Sequence, residues 1–148
     1  MSERIKVGVS GVGYLGRHHA RLYAELPGAE LVGVADTNAE RAGEIAAASG
    51  ARAFADYRDL LPLVEAVSVV VPTSLHYAVT ADCLAAGLDV LLEKPMTVTL
   101  DEADRLIALA DSKQRLIQIG HLERFNGCLL YTSPSPRDTE RSRMPSCA

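Results

Sequence analysis

Three glycines spaced as G-x-G-x-x-G, in Gly11-Val12-Gly13-Tyr14-Leu15-Gly16, are the first residues along the chain whose pattern suits chemistry. In such a loop the first glycine permits a tight turn, the second lets the backbone approach a pyrophosphate, and the third lets the following helix pack close to its strand. The amides that open that helix then face the phosphates, with the helix dipole behind them. Tyr14, inside the loop, either lines that site or packs beside it, and Leu15 shares the loop. Asp36 follows Gly16 by 20 residues. A carboxylate there accepts from the ribose hydroxyls of NAD and repels the extra phosphate of NADP. The alternative for Asp36 is a turn residue ahead of a helix. Arg41 either serves an NADP phosphate or lies on a helix surface. NAD is favoured, and NADP stays open.

Glycine-rich turns are common, so the motif needs a strand before it and a helix after it. The sequence predicts both. Ile5–Ser10 reads as a strand and Tyr14–Leu26 as a helix closed by Pro27-Gly28. Glu30–Ala35 is a second strand. A helix from about Asn38 to Ser49 follows, with Thr37 and Glu40 as its capping box and Gly50 as its stop. Ala51–Phe54 is a third strand, and Asp56–Leu61 a helical turn. Val67–Val71 is β-branched on both faces, as a central parallel strand is. Then come a helix at Leu75–Ala86 closed by Gly87, a strand at Asp89–Leu92, a helix opened by a Thr99/Glu102 capping box and running to Lys113, and a strand at Leu116–Ile119. Alternating elements of this kind imply an α/β doubly wound parallel sheet with right-handed crossovers and strand order 3-2-1-4-5-6.

Three further segments sit after the fourth, fifth and sixth strands: Pro72-Thr73-Ser74-Leu75-His76, Glu93-Lys94-Pro95, and Gly120-His121-Leu122-Glu123-Arg124-Phe125-Asn126. These are the carboxyl ends of the strands, where open α/β sheets bind ligands. His76 either pads a helix start or contacts a ligand, and His121 is equally open. His18 and His19 fall on the first helix as surface or packing residues. Lys94 alone can be read as a solvated strand-end lysine. A methyltransferase places glycines and an acid similarly. A short-chain dehydrogenase shares the fold but needs Tyr-x-x-x-Lys, which the chain lacks.

Taken together, these segments resemble the Gfo/Idh/MocA oxidoreductases, from about Ile5 to Asn126. The resemblance implies a cofactor site of Gly11, Gly13, Tyr14, Leu15, Gly16, Asp36, Pro72, Thr73, His76, Glu93, Lys94 and Pro95, with no metal. It implies that Lys94 reaches both the nicotinamide ribose and the substrate hydroxyl, where a lysine can stabilise a developing alkoxide or pass a proton. Pro95 restricts the backbone beside it. The expected reaction is hydride transfer from a sugar or nucleotide-sugar hydroxyl to NAD. Within the family the motifs are most similar to the branch acting on C3 of UDP-N-acetylglucosamine. The alternative is a sensor or regulator that binds NAD(P) without turnover, and intact Glu93-Lys94-Pro95 favours the enzyme. The family's Asp-x-x-x-His pair occurs nowhere in the chain. It belongs to a second, substrate-binding domain, so the chain alone is expected to be inactive. Homo-oligomerisation is expected through that second domain.

A net charge of −4 without a basic stripe argues against nucleic acid as a partner. No apolar run reaches the length of a membrane span, and the N-terminus lacks a signal-peptide pattern, so cytoplasm is the expected location. Cys83, Cys128 and Cys147 fit neither a zinc site nor a disulfide framework. The dinucleotide-binding domain is expected over residues 1–126 and a non-native, disordered tail over 127–148. Cys128-Leu129-Leu130-Tyr131-Thr132-Ser133 and Pro134-Ser135-Pro136-Arg137-Asp138 resemble the translation of a transposon-end sequencing adaptor. A shared codon accounts for Gly127, where the family expects proline. Thr139-Glu140-Arg141 fills the index gap, and Ser142–Ala148 departs from the continuation only at Cys147. The alternative is a natural disordered tail.

Overall fold

The structure, a computed structural model, describes residues 4–120. The chain alternates β1 (Ile5–Ser10), α1 (Gly16–Glu25), β2 (Ala29–Ala35), α2 (Ala39–Ser49), β3 (Arg52–Phe54), two short 3-10 turns (Tyr57–Asp59 and Leu61–Leu63), β4 (Ala66–Val69), α3 (Thr73–Ala85), β5 (Asp89–Glu93), α4 (Leu100–Lys113) and β6 (Ile117–Gly120). The six strands form one sheet in the order β3-β2-β1-β4-β5-β6, with every pairing parallel. This is the doubly wound α/β fold and the strand order expected from the sequence.

Side chains alternate across a strand, and the register shows which face each one serves. Val9 of β1 lies opposite Ser68 of β4, and Ser68 in turn lies opposite Leu91 of β5. Val7, Val9, Leu31, Val34, Ala20 and Ala46 form the core beneath α1 and α2. On the other face Val67, Val69, Val90 and Leu92 pack with Leu84 of α3 and Leu106 of α4. Among the described residues no helix is long and apolar enough to cross a membrane.

The element boundaries depart from the sequence expectations where polar side chains and the glycine loop intervene. α1 begins at Gly16 rather than Tyr14, because the residues before it form the turn. Asn38, not Thr37, caps α2: its side chain accepts from the Arg41 amide, and no Thr37/Glu40 capping box forms. The Asp36 carboxylate accepts from the Asn38 amide at 2.8 Å and so sets the chain's entry into that helix. α3 begins at Thr73, directly after Pro72. The helical turn expected at Asp56–Leu61 is two 3-10 turns. The Thr99/Glu102 capping box forms with both of its reciprocal bonds.

Candidate functional site

A cleft of ≈ 540 Å³ opens at the carboxyl ends of β1, β2, β4 and β5. Gly11, Gly13, Tyr14, Leu15, Asp36, Pro72, Thr73, His76, Glu93 and Lys94 line it. These residues come from four separate loops, and the parallel topology brings them to one edge. Gly16 and Pro95 do not line the cleft. Gly16 works from beneath: a Cβ there would collide with the Gly11 carbonyl oxygen. Gly11 has φ +87°, and a Cβ on it would sit 2.5 Å from the Val70 carbonyl oxygen. A Cβ on Gly13 would meet nothing within 4 Å, leaving open space beside the loop. Pro95 follows a cis peptide bond from Lys94.

Asp36 anchors one end of the cleft. Its Oδ2 accepts from the Val12 amide at 2.9 Å and from Arg41 Nε at 3.3 Å. Its Oδ1 accepts from the Asn38 amide and from Arg41 Nη2 at 2.9 Å. Burial pushes the Asp36 carboxyl up, but the bonds from Arg41, Asn38 and Val12 outweigh that and hold it below its ordinary value. Asp36 therefore does more than start a turn. It ties the glycine loop to the first turn of α2, and Arg41 lines the cleft as its partner rather than lying idle on a helix surface.

At the other end Lys94 is exposed. Its ammonium makes no hydrogen bond or ion pair among the described residues. His76, read as either padding a helix start or contacting a ligand, lies in the cleft wall. It is 2% exposed. Its Nδ1 lies 2.7 Å from the Pro95 carbonyl and its Nε2 2.9 Å from the Val71 carbonyl. One ring nitrogen, as N–H, donates to one of these two carbonyls, and His76 packs between the loop after β5 and the loop after β4 as part of the wall. Glu93 reaches the cleft edge, but it is buried, and its carboxylate lies 3.1 Å from His19 Nε2.

Of its two readings, surface or packing, His19 takes packing, with partners the sequence did not name: it spans from α1 to Ser68 of β4 and Glu93 of β5. The spacing of Gly16, His19, Ala20 and Tyr23 at helical intervals was the available signal. Tyr57 lines the cleft and donates to Asp82 Oδ2 at 2.6 Å. Burial, followed by the bond to Asp82, pushes its phenol up to about 12. No local pattern reveals a pairing with a helix 25 residues away. Among the described residues no group of three or more His, Cys, Asp or Glu could hold a metal ion. Cys83 is buried, and burial pushes its thiol up to about 12. His121, Arg124, Phe125, Asn126 and the stretch from Cys128 to Ala148 lie outside the described residues.

Residues 5–121 match a family described as an oxidoreductase family with an NAD-binding Rossmann fold. UDP-N-acetylglucosamine 3-dehydrogenase of Acidithiobacillus ferrooxidans is 43% identical over 144 residues, covering 95% of this chain and 45% of that enzyme. Inositol 2-dehydrogenase of Rubrobacter xylanophilus is 40% identical over 129 residues, covering 84% of this chain and 37% of its own length. The chain thus spans less than half the length of these relatives. The solved structure of the Acidithiobacillus enzyme superposes with TM-score 0.81 at 45% identity, over 86% of this chain and 42% of the other. GenD2 from gentamicin A biosynthesis, solved in complex with NAD, superposes with TM-score 0.78 at 31% identity, over 81% of this chain and 35% of the other.

Proposed function

Since this chain belongs to the Gfo/Idh/MocA family of oxidoreductases, we propose that it is the NAD-binding part of a dehydrogenase acting on a sugar or nucleotide-sugar hydroxyl. One observation carries the reading: Asp36 at the end of β2 and Lys94 at the end of β5 line a single cleft with the glycine loop between them. The loop amides and the start of α1 receive the pyrophosphate. Asp36 accepts from the adenosine ribose, and because four donors already occupy its oxygens, the exposed Arg41 side chain turns aside to admit the hydroxyls. NAD, when bound, supplies the hydride acceptor. Lys94 would stabilise the charge that develops on the substrate oxygen as its proton passes to the acid–base histidine that the family resemblance places in a second domain. Lys94 in the same cleft supports an enzyme over a sensor.

The names of the relatives support a polyol, sugar or nucleotide-sugar substrate, and the identity to the Acidithiobacillus enzyme supports C3 of UDP-N-acetylglucosamine. A second, substrate-binding domain, homo-oligomerisation through it and a cytoplasmic location belong to the same reading, carried by the family resemblance. Residues 127–148 read as an adaptor translation on the codon match. The 95% coverage of the Acidithiobacillus match includes residues beyond 126 and argues the other way. Adaptor codons from Cys128 onward in the source nucleotides support the reading, and unrelated codons end it.

Calorimetry on the 148-residue chain tests the cofactor. NAD should bind more tightly than NADP, and Asp36→Ala should weaken NAD by about tenfold or more, the scale of a hydrogen bond to a charged group. Tighter NADP binding by the wild type would overturn the NAD assignment.

A further inference from the structure

Polar side chains meet beneath α1, where the sheet could have been apolar. Ser68, fully buried in β4, lies 2.8 Å from the Tyr23 hydroxyl and 3.2 Å from His19 Nδ1. His19 Nε2 lies 3.1 Å from Glu93 Oε1, and Glu93 is 4% exposed. Gly120 of β6 pairs with Glu93, and a Cβ on it would stand 2.8 Å from Glu93 Oε1. The missing side chain leaves the carboxylate its place. One set of proton positions satisfies every partner: Tyr23 donates to Ser68, Ser68 donates to His19 Nδ1, and His19 Nε2–H donates to Glu93.

A buried carboxylate without a partner is costly. His19 supplies Glu93 with a side-chain donor, and the only other donor to it among the described residues is the Lys94 amide at 3.4 Å. Lys94 is the next residue, its side chain exposed in the cleft. A Glu93 carboxylate turned toward the cleft would pair with that ammonium and withdraw it from a substrate oxygen. We infer that His19 is a positioning residue, holding the Glu93 carboxylate on the α1 side of the sheet so that the Lys94 ammonium faces the cleft unneutralised. This rests on Lys94 being the group that meets the substrate.

The chain has three lysines, Lys6, Lys94 and Lys113. Acylation with limiting reagent at neutral pH, followed by peptide mass spectrometry, reads Lys94 against the other two as internal references. In His19→Leu the freed carboxylate pairs with the neighbouring Lys94 side chain and shields it from the reagent. The Lys94 to Lys113 ratio should fall by about threefold or more. His19→Gln, whose amide still donates to Glu93, should keep the wild-type ratio. The double variant His19→Leu with Glu93→Gln should restore it, because no carboxylate remains to move. General loosening of α1 would not be reversed by deleting a charge. An unchanged ratio in His19→Leu, or a fall that Glu93→Gln does not restore, overturns the proposal. Should His19→Leu fail to fold, Ser68→Ala removes the second anchor of the ring and carries the same expected fall and rescue. NAD calorimetry in parallel separates the two readings: a wild type that binds no NAD sinks the proposed function without moving the lysine ratio.

Discussion

The two faces of β4 differ in kind although they are one residue apart. Val67 and Val69 point into a core shared with Val90, Leu92, Leu84 and Leu106. Ser68 points the other way, into the polar group of His19, Tyr23 and Glu93. The apolar face adds stability through buried area. The polar face gains little net stability, since its hydrogen bonds replace bonds to water, yet leaving any one of them unmade is expensive. Both faces of the sheet hold a buried apolar core, but the α1 side spends part of its burial on arranging groups beside the cleft.

The largest expected effect falls on the apolar face. Leu92 is fully buried, and Leu92→Ala should cost about 2–5 kcal/mol in urea unfolding, with NAD affinity retained by the fraction that stays folded. A loss of affinity without a loss of stability would break the contrast between the faces. Lys94→Met should show the opposite pattern. In a full-length protein carrying this domain, turnover should drop by roughly a hundredfold or more. The melting temperature should stay near that of the wild type, because the side chain is exposed. Near-normal turnover would remove Lys94 from the chemistry.

Smaller effects sharpen the comparison. Ser68→Ala leaves His19 Nδ1 and the Tyr23 hydroxyl without their partner and should cost about 1–3 kcal/mol, read by urea unfolding. A neutral result would mean that water replaces the serine as the partner of both groups. The smallest effect depends on pH. Asp36 sits below its ordinary 3.8 in the folded chain, so its contribution is fully present above that value and is lost as pH falls through the lower folded one. Arg41→Met should be less stable than wild type at neutral pH, and the gap should close below about pH 4. A gap that persists in acid would show that Arg41 acts through packing instead of charge.

The legible parts of this chain were those with a local cause. The Thr99/Glu102 box, the Gly50 stop and the glycine loop each depend on residues within a few positions of one another, and each formed as read. Thr37 was read as a cap because it precedes Glu40, but Asn38 won because Asp36 bonds its amide and turns the chain one residue later. The roles of His76 and His19 stayed open in the sequence for a common reason. A histidine's role depends on what faces its two ring nitrogens, and for His19 the partners lie 49 and 74 residues away.

The sequence by itself determined the element order, the parallel doubly wound sheet and the set of loops at its carboxyl edge, because periodicity, caps and glycine spacing act over short distances. Only the tertiary structure decided which side chains point into the cleft and which are consumed in holding it. Strand pairing brings β1, β4 and β5 side by side, and that juxtaposition gives Ser68, Glu93 and His19 their partners. Whether a polar group is free for a ligand depends on neighbours supplied by distant parts of the chain.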